Sequence, residues 1–321
     1  MTAPRPVIAV DWGTSSFRAY ALGPDGATQD HRASESGILR VAGGDFATAF
    51  RQQIGDWLDE RPDALVVMSG MIGSRQGWME VPYCPCPCDL SMLAAGLKRL
   101  DWPDSAHWPG VEVWVVPGLS AETAPGLPDV MRGEEMQIFG ALPDLSAEGS
   151  GERAVVCLPG THSKWASVAG GAVTGFATYM TGEVYDVLQG HSILGRLMTA
   201  EPAAADAWFE QGVALGAEGA LLRVLFSARS RVLSGTLPES AVRSYLSGLL
   251  IGHEVSAALC DLEYPPAQIA LLGAPALEAL YEVALRNLGC DVKRLDAEVA
   301  AQGLFQVARR LLDGDTIARM R

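Results

Sequence analysis

Apolar and polar positions along this chain fall into blocks, and the period of the blocks changes in a regular order. Val7 to Val10 is a continuous apolar, largely β-branched run and Phe17 to Leu22 alternates, which predicts two strands. Ala27 to Ala33, after an Asp25-Gly26 turn, supplies a third. Phe46, Phe50, Ile54, Trp57 and Leu58 recur at helical spacing, and Leu65 to Met68 is short enough for a buried strand. Val111 to Val116 adds another strand, and Met136, Phe139, Ala141 and Leu142 mark the inward face of a helix. The second half also opens on an apolar run, which begins at Ala154; a return strand covers Ala172 to Tyr179, and a helix starts at Thr181-Gly182-Glu183 toward His191. Helical spacing fills Asp206 to Leu262, a strand at Ile269 opens through Gly273, Ala274 and Pro275 into a helix, Asp291 to Leu295 is a last strand and Leu304 to Leu312 an amphipathic helix. The Pro- and Gly-containing stretch from Pro117 to Pro128 reads as a linker, dividing the chain into residues 1–120 and 121–321.

Candidate chemistry sits in the turns. Between the first two strands, Asp11 is followed by Gly13, Thr14, Ser15 and Ser16. Glycine lets a ligand approach the backbone, and the hydroxyls and N–H groups are donors of the kind that cradle phosphate. Asp11, at the strand end, is placed to hold a metal ion. Taken alone, such a turn is more often a plain hairpin. A second copy changes the weight: aligned on the glycines, Gly13-Thr14, Ser16 and Ala19 fall on Gly160-Thr161, Ser163 and Ala166, with His162 and Lys164 as polar additions. Asp11 is matched by Leu158, so only the first copy carries the carboxylate. Two such hairpins, each opening one half of a chain, resemble the sugar kinase, heat-shock ATPase and actin superfamily. That resemblance implies an α/β protein of two ribonuclease-H-like domains, the actin-like ATPase fold, around a nucleotide cleft.

Ser69 to Tyr83 is too glycine-rich and irregular for a helix or a strand, and it leaves the end of a central strand, where ligands of open α/β sheets collect. Its one cation, Arg75, flanked by Gln76 and Trp78, suits a carboxylate and several hydroxyls, although an Arg on a surface loop also needs no ligand. Arg132, Glu134 and Glu135 fall near the first turn of the following helix, where the macrodipole alone favours carboxylates. In a kinase one of those carboxylates is the general base.

Composition narrows the classes. With 321 residues and 49% hydrophobic content the chain has real cores and room for about two domains. A net charge of −14 argues against nucleic acid or an anionic membrane as partner. Asp11 interrupts the first apolar run too early for a signal-peptide core and no run reaches the roughly 18 apolar residues of a membrane span, so a cytoplasmic protein is expected. Cys157, Cys260 and Cys290 lie in apolar runs; Cys84-Pro-Cys-Pro-Cys88 holds three thiols without the fourth ligand that zinc prefers.

The segments Asp11–Tyr20 (DWGTSSFRAY), Gly70–Trp78 (GMIGSRQGW), Met131–Glu135 (MRGEE), Leu158–Trp165 (LPGTHSKW) and Tyr179–Gly195 (YMTGEVYDVLQGHSILG) together resemble the 2-dehydro-3-deoxygalactonokinase family. The resemblance implies ATP-dependent phosphorylation of 2-dehydro-3-deoxy-D-galactonate on its terminal hydroxyl, with magnesium, in galactonate breakdown. It implies Asp11 as the magnesium-directing residue, Gly13 to Ser16 and Gly160 to Ser163 as phosphate clamps, Lys164 as a neutralising charge and Glu134, ahead of Glu135, as the base. Gly273 and Ala274 would face the adenosine, while Arg75, Gln76, Trp78, Arg18 and Arg132 are the candidates for the sugar acid. A homodimer is compatible with this reading. The alternative on the same hairpins is an exopolyphosphatase-type phosphohydrolase, in which the same Glu activates water.

Overall fold

The computed structural model describes residues 5–147, 153–199, 202–262, 266, 268–296 and 299–319. Contacts divide the chain into two units, residues 1–149, 169–175 and 297–321 in the first and residues 150–168 and 176–296 in the second.

In the first unit β1 (Val7–Trp12), β2 (Phe17–Leu22) and β3 (Thr28–Ser34) form an antiparallel meander, followed by α1 (Phe46–Glu60) and β4 (Leu65–Ser69). Short pieces follow: β5 (Cys84–Pro85), β6 (Cys88–Asp89), α2 (Leu90–Ala95) and β7 (Lys98–Arg99), then β8 (Glu112–Val115). The main sheet has the order β3-β2-β1-β4-β8-β7, with β1, β4 and β8 parallel. β1 and β4 are almost wholly buried, as their continuous apolar runs require of central parallel strands. The Pro117–Pro128 stretch, expected as a linker, is instead part of a hairpin of β9 (Leu119–Ala124) and β10 (Leu127–Met131), whose turn holds Gly126 at φ +76°. Its polar alternation conceals the strands, because most of β9 and β10 is solvent-facing. Residues 169–175 also belong to this unit, where Ala172 and Val173 pair with Asp89 and Cys88.

α3 (Glu134–Ala147) crosses the chain's closing helix, Val299–Arg319, at a distance that excludes side chains. A Cβ on Gly140 would lie 1.8 Å from Val299 O, and one on Gly303 would lie 2.1 Å from Met136 O. The closing helix in turn packs on β1 and β4. One face of that sheet packs an aromatic group: Trp12 meets Phe17 and Phe46, and Trp78 meets Phe46, Phe50 and Trp102.

The second unit repeats the topology. β11 (Arg153–Leu158), β12 (Ser163–Ala169) and β13 (Ala172–Tyr179) are followed by α4 (Thr181–His191), and then by α5 (Ala207–Ala217), α6 (Leu221–Leu225), α7 (Ser227–Leu233) and α8 (Val242–Asp261). β14 (Ile269–Leu271), α9 (Pro275–Asn287) and β15 (Val292–Arg294) complete it. Its strands run β15-β14-β11-β12-β13, with β11, β14 and β15 parallel. In each unit three meander strands precede two crossover-linked parallel strands, in the order third-second-first-fourth-fifth, which is the ribonuclease-H-like arrangement. Two such units make the actin-like ATPase fold. Among the described residues no helix is long and apolar enough to cross a membrane.

Candidate active site

In the first unit the candidate residues gather at the carboxyl end of β1. Gly13 N–H donates to Ser16 O at 2.9 Å and closes the turn, leaving Thr14 and Ser15 exposed. Ile38 and Leu39 N–H donate to the carbonyls of Gly13 (3.0 Å) and Thr14 (3.3 Å) and hold the turn in place. Asp11 has Arg18 opposite it on β2 and Ser69 opposite it on β4. The Asp11 carboxylate is 3.3 Å from the Arg18 guanidinium and its side chain is 19% exposed. Burial raises the Asp11 pKa, the Arg18 charge opposes that, and the Glu134 carboxylate adds to the rise. Gly70, at φ +90°, begins the irregular loop; a Cβ there would come 2.8 Å from Trp12 O and 3.2 Å from Asp11 Oδ1, so only glycine lets the loop leave so close to the carboxylate.

The two adjacent acids at the start of α3 have different surroundings. Glu134 is half-buried and its Oε2 accepts from Arg132 N–H at 3.1 Å. Glu135 is fully buried; its Oε2 accepts from Gly133 N–H at 2.6 Å and its Oε1 has no hydrogen-bond partner. Burial first, and the neighbouring Glu134 charge second, push the Glu135 pKa up to about 8. Glu135 is therefore mostly a neutral acid at pH 7, and Glu134 is the accessible carboxylate of the pair.

The expected substrate residues separate into different environments. Arg75 is 87% exposed and makes one ion pair, to Glu80 at 3.4 Å. Gln76 is exposed beside it. Trp78 packs against the aromatic core, its ring tilted on Phe50 at 5.5 Å and edge-on to Trp102 at 6.3 Å, while the side chain stays half-buried. Arg132, also expected at the substrate, is buried: it donates to Val81 O at 2.6 Å and lies 4.5 Å over the Tyr83 ring, anchoring the irregular loop to the start of α3.

In the second unit Gly160, Thr161 and His162 form the turn, and the start of α4 rests on it, since a Cβ on Gly182 would lie 2.5 Å from Gly160 O. Glu183 N–H donates to Thr161 O at 3.0 Å, and the Glu183 carboxylate pairs with the His162 ring. Ser163, expected as a phosphate donor, is fully buried: its hydroxyl meets Tyr281 Oη at 2.8 Å, and Tyr281 donates to Glu254 at 2.6 Å. Trp165 Nε1–H donates to the same carboxylate at 2.8 Å. Burial raises the Glu254 pKa, while hydrogen bonds from Thr181, Tyr281, Trp165 and Ser163 work against that. Lys164, expected as a neutralising charge, is 4% exposed and donates to His162 O at 2.9 Å, which fixes the turn from inside. Gly273 N–H donates to Glu278 at 2.9 Å, and a Cβ on Gly273 would lie 3.3 Å from Pro159 O, so the exposed Ala274 stands close to the phosphate-type turn. No local motif in the chain marks the Glu254–Tyr281–Ser163 network. Its one signal was an acid within the apolar spacing of α8, between Leu250 and Val255.

The family profile described as 2-keto-3-deoxy-galactonokinase matches residues 11–307. The chain is 36% identical over 317 residues to the probable 2-dehydro-3-deoxygalactonokinase DgoK1 of Rhizobium meliloti (strain 1021), covering 97% of this chain and 99% of that one. It is 34% identical over 303 residues to the 2-dehydro-3-deoxygalactonokinase of Escherichia coli (strain K12), covering 94% and 97%. A crystal structure of a Sinorhizobium meliloti protein, provisionally assigned as a 2-dehydro-3-deoxygalactonokinase, superposes with a TM-score of 0.85 at 35% identity, covering 94% of this chain and 98% of that one.

Proposed function

Since the chain belongs to the 2-keto-3-deoxy-galactonokinase family, we propose that it transfers the terminal phosphoryl group of ATP to the terminal hydroxyl of 2-dehydro-3-deoxy-D-galactonate, and that the residues around Asp11 carry the step. The observation that supports this assignment of residues is the division of labour between Glu134 and Glu135. Of two adjacent carboxyls, one is reachable beside Asp11, and the other is buried and held neutral.

Glu134 is the general base: it accepts the proton of the substrate hydroxyl as that oxygen attacks phosphorus, and of the two acids it is the half-buried, more accessible one. Glu135 stays protonated and ties the Gly133 backbone, so no second negative charge repels the incoming phosphates. The exposed Thr14-Ser15 turn and the Gly160–His162 turn supply donors for phosphate oxygens. Asp11 and Glu134 interact, with one Arg18 cation on Asp11, so the excess negative charge suits a divalent ion. Among the described residues no group of three or more His, Cys, Asp or Glu is arranged to enclose a metal. Magnesium fits that frame, because it is commonly bound by one or two carboxylates together with substrate phosphates and water. Asp11 would hold it, and bound there it would neutralise charge on the transferring group. Arg75, exposed and only weakly paired, receives the substrate carboxylate, and Ala274 lies against the adenosine.

The test is ADP release measured with and without the sugar acid, followed by identification of the phosphorylated product. ADP formed only with 2-dehydro-3-deoxy-D-galactonate supports the kinase. ADP or phosphate released at the same rate without it makes the protein a phosphohydrolase.

A further inference from the structure

The run Cys84-Pro-Cys-Pro-Cys88 plays no part in the chemistry above, yet its geometry is specific. Cys84 is paired through its backbone with Leu119 of β9, and Cys88 with Val173 of β13. The chain reverses between them so that Cys84 Sγ and Cys88 Sγ lie 2.9 Å apart. A disulfide needs about 2.05 Å, so the sulfurs have roughly 1 Å to close. Cys84 is half-buried and reachable, whereas Cys88 is fully buried behind it. Cys86 is half-buried. Three thiols fall one short of the four ligands of a structural zinc site.

We propose that Cys84 and Cys88 form a reversible two-electron oxidation site, closed to a disulfide by exchange with a low-molecular-weight disulfide of the glutathione type. Cys84 loses its thiol proton and attacks one sulfur of the oxidant, whose S–S bond breaks and releases one thiol. Cys88 then loses its proton and attacks the Cys84 sulfur of the mixed disulfide, and the second thiol leaves. Two protein S–H bonds are lost and one S–S bond is gained; the oxidant is reduced to two thiols. A reachable sulfur that starts the exchange and a buried one that completes it is the division expected of an attacking and a resolving cysteine. Burial raises the Cys88 thiol pKa, so its attack on the mixed disulfide quickens as pH rises. The bond joins β5 to β6 directly after Tyr83, the residue on which Arg132 stacks.

The experiment incubates the folded, full-length protein with oxidised glutathione and follows intact mass and free-thiol count, before and after dithiothreitol. The expected product has lost two thiols and two hydrogens, carries no glutathione and returns to the starting mass on reduction. Cys86→Ser keeps this behaviour. Cys84→Ser loses the internal disulfide, and its far-ultraviolet circular dichroism checks that it is folded. An internal disulfide that survives in Cys84→Ser, or disappears in Cys86→Ser, overturns the pairing. Wild-type protein that gains only glutathione adducts, or retains every thiol, overturns the site itself.

Discussion

Arg18 Nη1 stands 3.3 Å from Asp11 Oδ2, directly across the β1–β2 pair. This cation thus lies on the meander side of the carboxylate, while the β4 side offers Ser69, whose Oγ is buried without a hydrogen-bond partner. Asp11→Asn keeps the shape and removes the charge. Turnover should fall ~10² to 10³-fold, the usual cost of losing a well-placed charge contact in a transition state. Steady-state kinetics with a circular-dichroism melt check it; wild-type turnover in a folded variant would remove Asp11 from the chemistry.

Glu134→Gln and Glu135→Gln should behave differently despite being adjacent. The first should lower kcat by roughly 10² to 10⁴ with KM little changed, the pattern of a lost general base. The second should retain kcat within about tenfold, because a neutral amide replaces a neutral acid. Reversal of the two results would move the base to Glu135.

The raised pKa of Glu135 also makes a stability prediction. The folded protein holds this proton up to about pH 8, whereas in the unfolded chain the carboxyl releases it near 4.5. Between those values the folded state binds more protons, so stability falls as pH rises through the window. Glu135→Gln should flatten that slope and be the more stable protein at pH 8, by an amount on the order of a few kcal/mol. Urea titrations of both proteins at pH 5, 6.5 and 8 measure it; parallel curves would contradict the neutral assignment.

Glu254→Ala leaves the buried Trp165 Nε1–H without its acceptor and leaves Tyr281 only the Ser163 hydroxyl as partner. An unsatisfied buried donor costs about 1–3 kcal/mol, so a loss of that order is expected in denaturant unfolding. Because Tyr281 also holds Ser163 beneath the second turn, the KM for ATP should rise in whatever fraction stays folded. Unchanged stability would mean the network is not formed.

Arg75→Lys replaces a planar fork with a point charge at an exposed position, so folding should be untouched. The KM for the sugar acid should rise at least about tenfold, or ~1.4 kcal/mol, with the KM for ATP unchanged. An unaltered KM for the acid would transfer carboxylate recognition to Arg18, since the Arg132 guanidinium is committed to Val81 and Tyr83.

The sequence by itself determined the features whose cause is local. A run such as Val7–Val10 closed by Asp11 and Gly13, and its echo from Ala154 to Gly160, show both meanders because strand period and turn chemistry act over a few neighbouring residues. Helical spacing showed α1 from Phe46 and the long α8 for the same reason. Only the tertiary structure decided what faces solvent. Ser16 and Ser163 occupy equivalent places in the two turns, yet Ser16 stays half-exposed while Ser163 is drawn inward by Tyr281, 118 residues away. Lys164 is likewise turned inward to a carbonyl, and Trp78 joins rings contributed by α1 and by the segment before β8. Glu134 and Glu135 are indistinguishable as letters, yet folding leaves the first half-buried and encloses the second completely. Desolvation, which separates a neutral acid from a charged base, depends on partners that are distant along the chain and is invisible until the chain is folded.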